Sequence, residues 1–106
     1  MPFVRISVTY PRADVRDEVR RHFEELIHQS QTLPGFVSGY VLVSTDAAGG
    51  MGRVTIWDSH ASANHAANDP RIMATHAKLH FDTDGQIQEF DMDAPLAVVG
   101  GVQTAS

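Results

Sequence analysis

His76 and His80 stand four residues apart in the run Asn68-Asp69-Pro70-Arg71-Ile72-Met73-Ala74-Thr75-His76-Ala77-Lys78-Leu79-His80. On a helix that spacing puts both imidazoles on one face, where they could hold a metal ion if His60, His65 or Asp82 supplied the missing ligands. An imidazole is also the side chain whose ordinary pKa lies nearest neutrality, so either could move a proton. Upstream, Arg53 to Trp57 ends in the only tryptophan of the chain, and Asn64 and His65 follow closely. An aromatic strand end facing a histidine-bearing helix can wall a pocket for a flat small molecule. The plainer alternatives are a core tryptophan, a histidine at the core edge and solvated histidines elsewhere. His22 and His28, on an earlier helix, read as border or surface residues.

These residues need a scaffold, and the sequence bounds its size. At 106 residues the chain is enough for one domain, with 42% hydrophobic and 20% charged residues. A net charge of -5 argues against a nucleic-acid partner, which needs a basic footprint. With no cysteine there can be no disulfide, thiolate metal site or cysteine nucleophile. Arg5 interrupts the apolar N-terminal run, which therefore does not read as a signal peptide. No apolar stretch approaches the ~20 residues of a membrane span. A soluble, cytoplasmic protein is expected. Gly49-Gly50-Met51-Gly52 lacks the lysine of a phosphate loop. No Gly-x-Ser-x-Gly or nicotinamide fingerprint appears.

Hydrophobic period supplies the elements. Val4, Ile6, Val8 and Tyr10 alternate with polar residues, a half-buried strand closed by Pro11. From Asp14, Val15, Val19, Phe23, Leu26 and Ile27 fall at helical spacing, and Pro34-Gly35 predicts an end near Thr32. Phe36 to Ser44 reads as a second strand, with Gly39 marking a bulge or a close approach. Thr45 to Gly52 reads as a mobile hairpin loop and Arg53 to Trp57 as a third strand. Asp58 or Ser59 caps a short helix through Ala67. Asp69 caps the next, with Pro70 at its first position, to about Leu79. Counting from Ile72, His76 falls on the buried side of that helix. Thr83-Asp84-Gly85 is a turn, Gln86 to Met92 a fourth strand, and residues 94–106 a tail after a domain of residues 1–93.

The order β-α-β-β-α-β, with its second helix broken, predicts an α+β fold. It is the ferredoxin-like antiparallel sheet with helices on one face. The other face stays open, while Phe3, Val41 or Leu42, Trp57 and Phe90 place apolar groups on more than one side. An uncovered apolar sheet predicts a homodimer, sheet against sheet.

Three segments carry a resemblance to a known family. They are Leu33-Pro34-Gly35-Phe36, Arg53-Val54-Thr55-Ile56-Trp57-Asp58-Ser59, and Asn68-Asp69-Pro70 through His76. Across about residues 3 to 92 the chain resembles the dimeric α/β-barrel superfamily, and within it the antibiotic biosynthesis monooxygenase-like domains. The resemblance implies a dimeric α/β barrel and a small aromatic or quinone-like ligand. Relatives include cofactor-free oxygenases, quinol oxygenases and haem-degrading enzymes. Of the haem-degrading pattern only the helix histidine has a match, His76. Ala66 stands near the tryptophan position, and Arg5, Ile6 and Ser7 occupy the strand that should bring an asparagine.

Cofactor-free oxygenation asks for a dry pocket, a base for a phenolic proton and donors for the resulting anion, which then reduces oxygen itself. The expected bases are His76 and His65. Trp57, Asn64, Phe23 and Tyr40 are the expected substrate contacts. No cofactor and no metal are expected. The leading reading is a cofactor-independent monooxygenase, or binder, of a small aromatic or quinone-like compound. The alternative is a non-catalytic small-molecule-binding or stress-response protein on the same scaffold, and the third is a haem- or metal-binding protein.

Overall fold

The computed structural model describes residues 1–96, so most of the tail expected over 94–106 lies outside the described residues. Strand β1 (Phe3–Thr9) leads through a short 3-10 turn into helix α1 (Arg16–Ser30). Strands β2 (Phe36–Val43) and β3 (Met51–Trp57) form a hairpin. Helices α2 (His60–Ala67) and α3 (Pro70–Asp82) follow, and strand β4 (Ile87–Asp93) closes the order. The sheet is antiparallel, in the order β2-β3-β1-β4, the expected ferredoxin-like arrangement. It is an open sheet, not a closed barrel.

Local chemistry explains the boundaries. The Ser59 side chain accepts from the Ser62 backbone N–H, making Ser59 the cap of α2. The Asp69 carboxylate accepts from the N–H groups of Arg71 and Ile72, with Pro70 at the first helical position. Helix α3 runs to Asp82, one turn beyond the expected Leu79, because Thr83 closes it: its hydroxyl and its N–H both donate to the Leu79 carbonyl. Gly35 has φ +86°, and an added Cβ would lie 2.3 Å from Ser62 Oγ.

The hairpin loop is shorter and better held than expected. Met51 and Gly52 belong to β3, and a Cβ on Gly52 would lie 2.2 Å from the Ser7 carbonyl oxygen of the neighbouring strand. Asp46 accepts from Ser44 and Ala48, and the Arg16 guanidinium donates to the Gly49 carbonyl. The β2 register shifts between Phe36 and Ser38, just before Gly39, where a Cβ would crowd Ile27.

Helix α1 lies on β2 and β3. Val19, Phe23 and Leu26 are fully buried there, with Trp57 and Met51 beneath them. Helix α3 leans mainly on α1 and makes few direct contacts with the sheet. Its Leu79 and Ile72 join the core, and Gln29 Nε2 donates to Thr75 Oγ1 at 3.0 Å across the helix pair. His22, read as a border residue, is buried, with Nε2 2.7 Å from Asp82 Oδ2 at the end of α3. A space remains between helices α2 and α3 and the sheet face formed by β3, β1 and β4.

The two sheet faces have opposite character. On β1 the buried set is Phe3, Ser7 and Thr9, with Arg5 on the same side, under the helices. Val4, Ile6 and Val8 point to the open side. The register puts Val54 and Ile56 of β3, Tyr40 of β2 and Phe90 and Met92 of β4 on that side too.

Candidate functional site

The space under α3 is a cavity of about 510 Å³. That is within the range of pockets for small organic ligands. Beneath it lies a grid of side chains set by strand register, of which Arg53, Glu89, Thr55, Arg5, Asp91 and Trp57 line the cavity. Arg53, Ser7 and Glu89 form one row across β3, β1 and β4. Thr55, Arg5 and Asp91 form the next, and Trp57 and Phe3 begin the third. Its roof and walls come from Ala63, Ala66 and Ala67 of α2 and from Ile72, Met73, His76 and Ala77 of α3. The small residues of α2 keep the space open, because alanine fills little of the gap between helix and sheet.

The polar groups of the floor are largely matched. Arg5 holds Asp91 through two hydrogen bonds, Nε to Oδ1 at 2.8 Å and Nη2 to Oδ2 at 3.1 Å. It also donates to the Ala63 carbonyl at 3.2 Å and to Asn64 Oδ1 at 3.4 Å, tying the sheet to α2. Glu89 Oε2 accepts from Ser7 Oγ at 3.2 Å and lies 3.4 Å from His76 Nε2. The His76 hydrogen bond, more than any other influence, holds the Glu89 carboxyl at about 2; partial burial opposes it, while the charges of His76 and Arg53 and the Ser7 hydroxyl help. Glu89 is therefore ionised at neutral pH. It orients the imidazole and faces whatever charge the ring gains on taking a proton.

Two donors along β3 are unmatched, and Arg53 beside them is only weakly matched. Arg53 is 5% exposed, and burial above all lowers its pKa to about 10 against the raising influence of Glu89. Its Nε reaches Ser7 Oγ at 3.4 Å, and it forms no ion pair among the described residues. Thr55 Oγ1 and Trp57 Nε1 are buried and have no hydrogen-bond partner among the described residues. All three side chains line the cavity.

The expected site residues separate into two groups. His76 and Trp57 both line the cavity. Asn64 is exposed and touches the site only through its bond from Arg5. His65 is exposed on α2 and does not line the cavity, because α2 turns that position to solvent. Phe23 is fully buried in the core between α1 and the sheet, away from the lining. Tyr40 is 57% exposed on the open sheet face, opposite the cavity. Arg5, Arg53, Glu89 and Asp91 were missed. Their signal is polar residues two apart on neighbouring strands, which single-strand reading assigns to a solvated face.

The metal option changes partner. His76 and His80 stand with Glu89, not with His60, His65 or Asp82, their ligand atoms lying within 4.8 Å of one another. Tetrahedral zinc ligands are about 3.3 Å apart, so the set would have to contract around an ion. The His76 and His80 rings lie tilted at 46° with centroids 4.7 Å apart, and His60 stacks on Phe3 at 4.5 Å.

Comparison with known proteins adds a family and a fold. Residues 1–78 match the family model described as antibiotic biosynthesis monooxygenase. No curated protein matches the chain. Rv0793 from Mycobacterium tuberculosis superposes with a TM-score of 0.82 at 19% identity, covering 94% of this chain and 100% of that one. A variant of SnoaB, described as a cofactor-independent oxygenase from Streptomyces nogalater, gives 0.80 at 14% identity, covering 92% and 96%. A conserved protein from Methanosarcina mazei gives 0.79 at 10% identity, covering 87% and 91%. At these identities the structures share the fold. Among the described residues, no helix is long and apolar enough to cross a membrane.

Proposed function

The chain belongs to the antibiotic biosynthesis monooxygenase family, and on that footing we propose that it oxygenates a small aromatic or quinone-like compound without a cofactor. The observation that carries this reading is the placement of His76. It sits in the wall of a cavity large enough for a few fused rings, with its Nε2 against the ionised Glu89. A phenolic ligand in the cavity gives its proton to His76, and Glu89 stabilises the imidazolium. The aromatic anion passes an electron to dioxygen, and the radical pair combines to a peroxide. The imidazolium returns its proton to the peroxide anion, and loss of water leaves the carbonyl product, so the net change is one dioxygen consumed, one oxygen atom gained by the ligand and one water formed, with His76 neutral again. The apolar walls, Ile72, Ala63, Ala66 and Trp57, give the ring system of the ligand an apolar surface to lie against.

The description of SnoaB as a cofactor-independent oxygenase supports this chemistry by analogy of fold. The binding-only reading uses the same cavity and leaves His76 as a hydrogen-bonding wall residue. Oxygen uptake separates the two. Purified protein treated with chelator is mixed with anthrone or a hydroxynaphthalene, and dioxygen consumption is followed with product analysis. Protein-dependent uptake abolished by His76→Ala supports the oxygenase. Saturable binding of the same compounds with no uptake leaves a binding protein.

A further inference from the structure

We propose that His76, His80 and Glu89 form a binding site for one divalent transition-metal ion of the zinc class. The site goes beyond the oxygenase reading and does not rest on it, because no step of that reaction uses an ion.

His76 and His80 lie one turn apart on α3, so both rings lean to the same side of the helix. Glu89 meets them from β4, and one ligand atom from each residue lies within 4.8 Å of the other two. His76 Nε2 and Glu89 Oε2, 3.4 Å apart, already stand at about the 3.3 Å edge of a tetrahedral zinc site. Closing the set therefore asks mainly for movement of His80, by roughly 1.5 Å at most, which a turn of its side-chain torsions supplies. Among the described residues, histidine rings form hydrogen bonds at His22, His28 and His76, and the His80 ring forms none. Its nitrogens are free to ligate.

Glu89 is steered by a neighbour, as ligands of metal sites are. Its Oε2 accepts from Ser7 Oγ at 3.2 Å, and Oε1 takes no hydrogen bond among the described residues. Glu89 is exposed and His76 half-buried, so an ion reaches them from solvent.

The donors set the class of ion. Two imidazole nitrogens and one carboxylate oxygen suit zinc, cobalt(II) and nickel(II), whereas magnesium and calcium take oxygen donors. Three protein ligands leave a tetrahedral zinc one position for water. One opposing charge is near. Arg53 acts on Glu89 from β3, so micromolar affinity is expected and not the tighter binding of a closed four-ligand site. An ion on His76 Nε2 excludes a proton from the same nitrogen.

The test is calorimetric titration at pH 7 of the chelator-treated, dialysed protein, carrying no histidine tag, with zinc chloride. One ion per chain is expected. His76→Ala, His80→Ala and Glu89→Gln should each weaken binding by at least about tenfold, while His65→Ala leaves it unchanged. An excess of magnesium should not compete. In the unaltered protein, zinc should shift the imidazole proton resonances of His76 and His80 alone among the six histidines. No saturable binding of zinc overturns the site. Binding undiminished in His80→Ala, or shifts confined to other histidines, overturns its location. Displacement by magnesium overturns the imidazole donor set. Should a variant fail to fold, the resonances of the unaltered protein still decide.

Discussion

His76 Nε2 lies 3.4 Å from Glu89 Oε2, bringing the cavity-facing side of α3 onto β4 across the mouth of the site. The contact joins two elements that otherwise stand apart, and it gives the imidazole a fixed anionic neighbour.

Replacing His76 with Ala is expected to lower turnover of a phenolic substrate by about a hundredfold or more, the usual worth of a positioned base. Glu89→Gln keeps the shape and removes the charge, and a loss of about tenfold is expected for a group that acts through the imidazole. His65→Ala, altering an exposed residue off the cavity, should change nothing measurable. Steady-state oxygen uptake of the three variants checks the order, and a His65 effect equal to that of His76 would refute the assignment.

Stability should respond to acid through Glu89. Its carboxyl titrates at about 2 in the folded chain against an ordinary 4.5. A group that holds its proton less tightly when folded adds stability above the unfolded value and loses it as the pH falls through the folded one. The melting temperature of the wild type should therefore exceed that of Glu89→Gln near pH 6. The gap should close between about pH 4.5 and pH 2. Parallel curves across that window would show that Glu89 makes no such contribution.

Arg53→Met should fold and melt at or above the wild-type temperature in the absence of ligand. A buried cation without a carboxylate partner costs desolvation that a methionine of similar length avoids. A gain on the order of 1 kcal/mol corresponds to a few degrees in a domain of this size. A drop of several degrees would mean that Arg53 is a structural keystone whose contacts outweigh its desolvation.

The open sheet face is expected to close against a second copy. Tyr40, Leu42, Phe90 and Met92 are each more than 40% exposed there. Beside them lie Val4, Ile6, Val8, Val54 and Ile56, all half-buried. Sedimentation at micromolar concentration should give twice the 11.6 kDa chain mass. Phe90→Asp, which puts a charge in the middle of that face, should weaken the dimer. A monomer mass for the unaltered protein would refute this.

Much of the scaffold is legible from local chemistry. Proline at the start of α3, the Asp69 and Ser59 caps and the helical spacing of Val19, Phe23 and Leu26 act within a few residues of themselves, so they can be read in a line of text. His76 is readable too, because its direction follows from the period of its own helix. The rest of the site depends on neighbours far away in the chain. Arg5 and Ser7 look like the solvated side of β1. They face inward because α3 rests on α1 and leaves the sheet beneath it uncovered, making room for polar side chains between helix and strand. The apolar residues of the same strand, Val4, Ile6 and Val8, then face outward. Alternation shows that a strand has two faces; which one the helices cover is settled only when the layers pack. The pairing of Arg5 with Asp91 spans 86 residues and arises from strand register, so the sequence determined the elements and the histidine, and the tertiary structure decided which charges would be matched and that Arg53 would not.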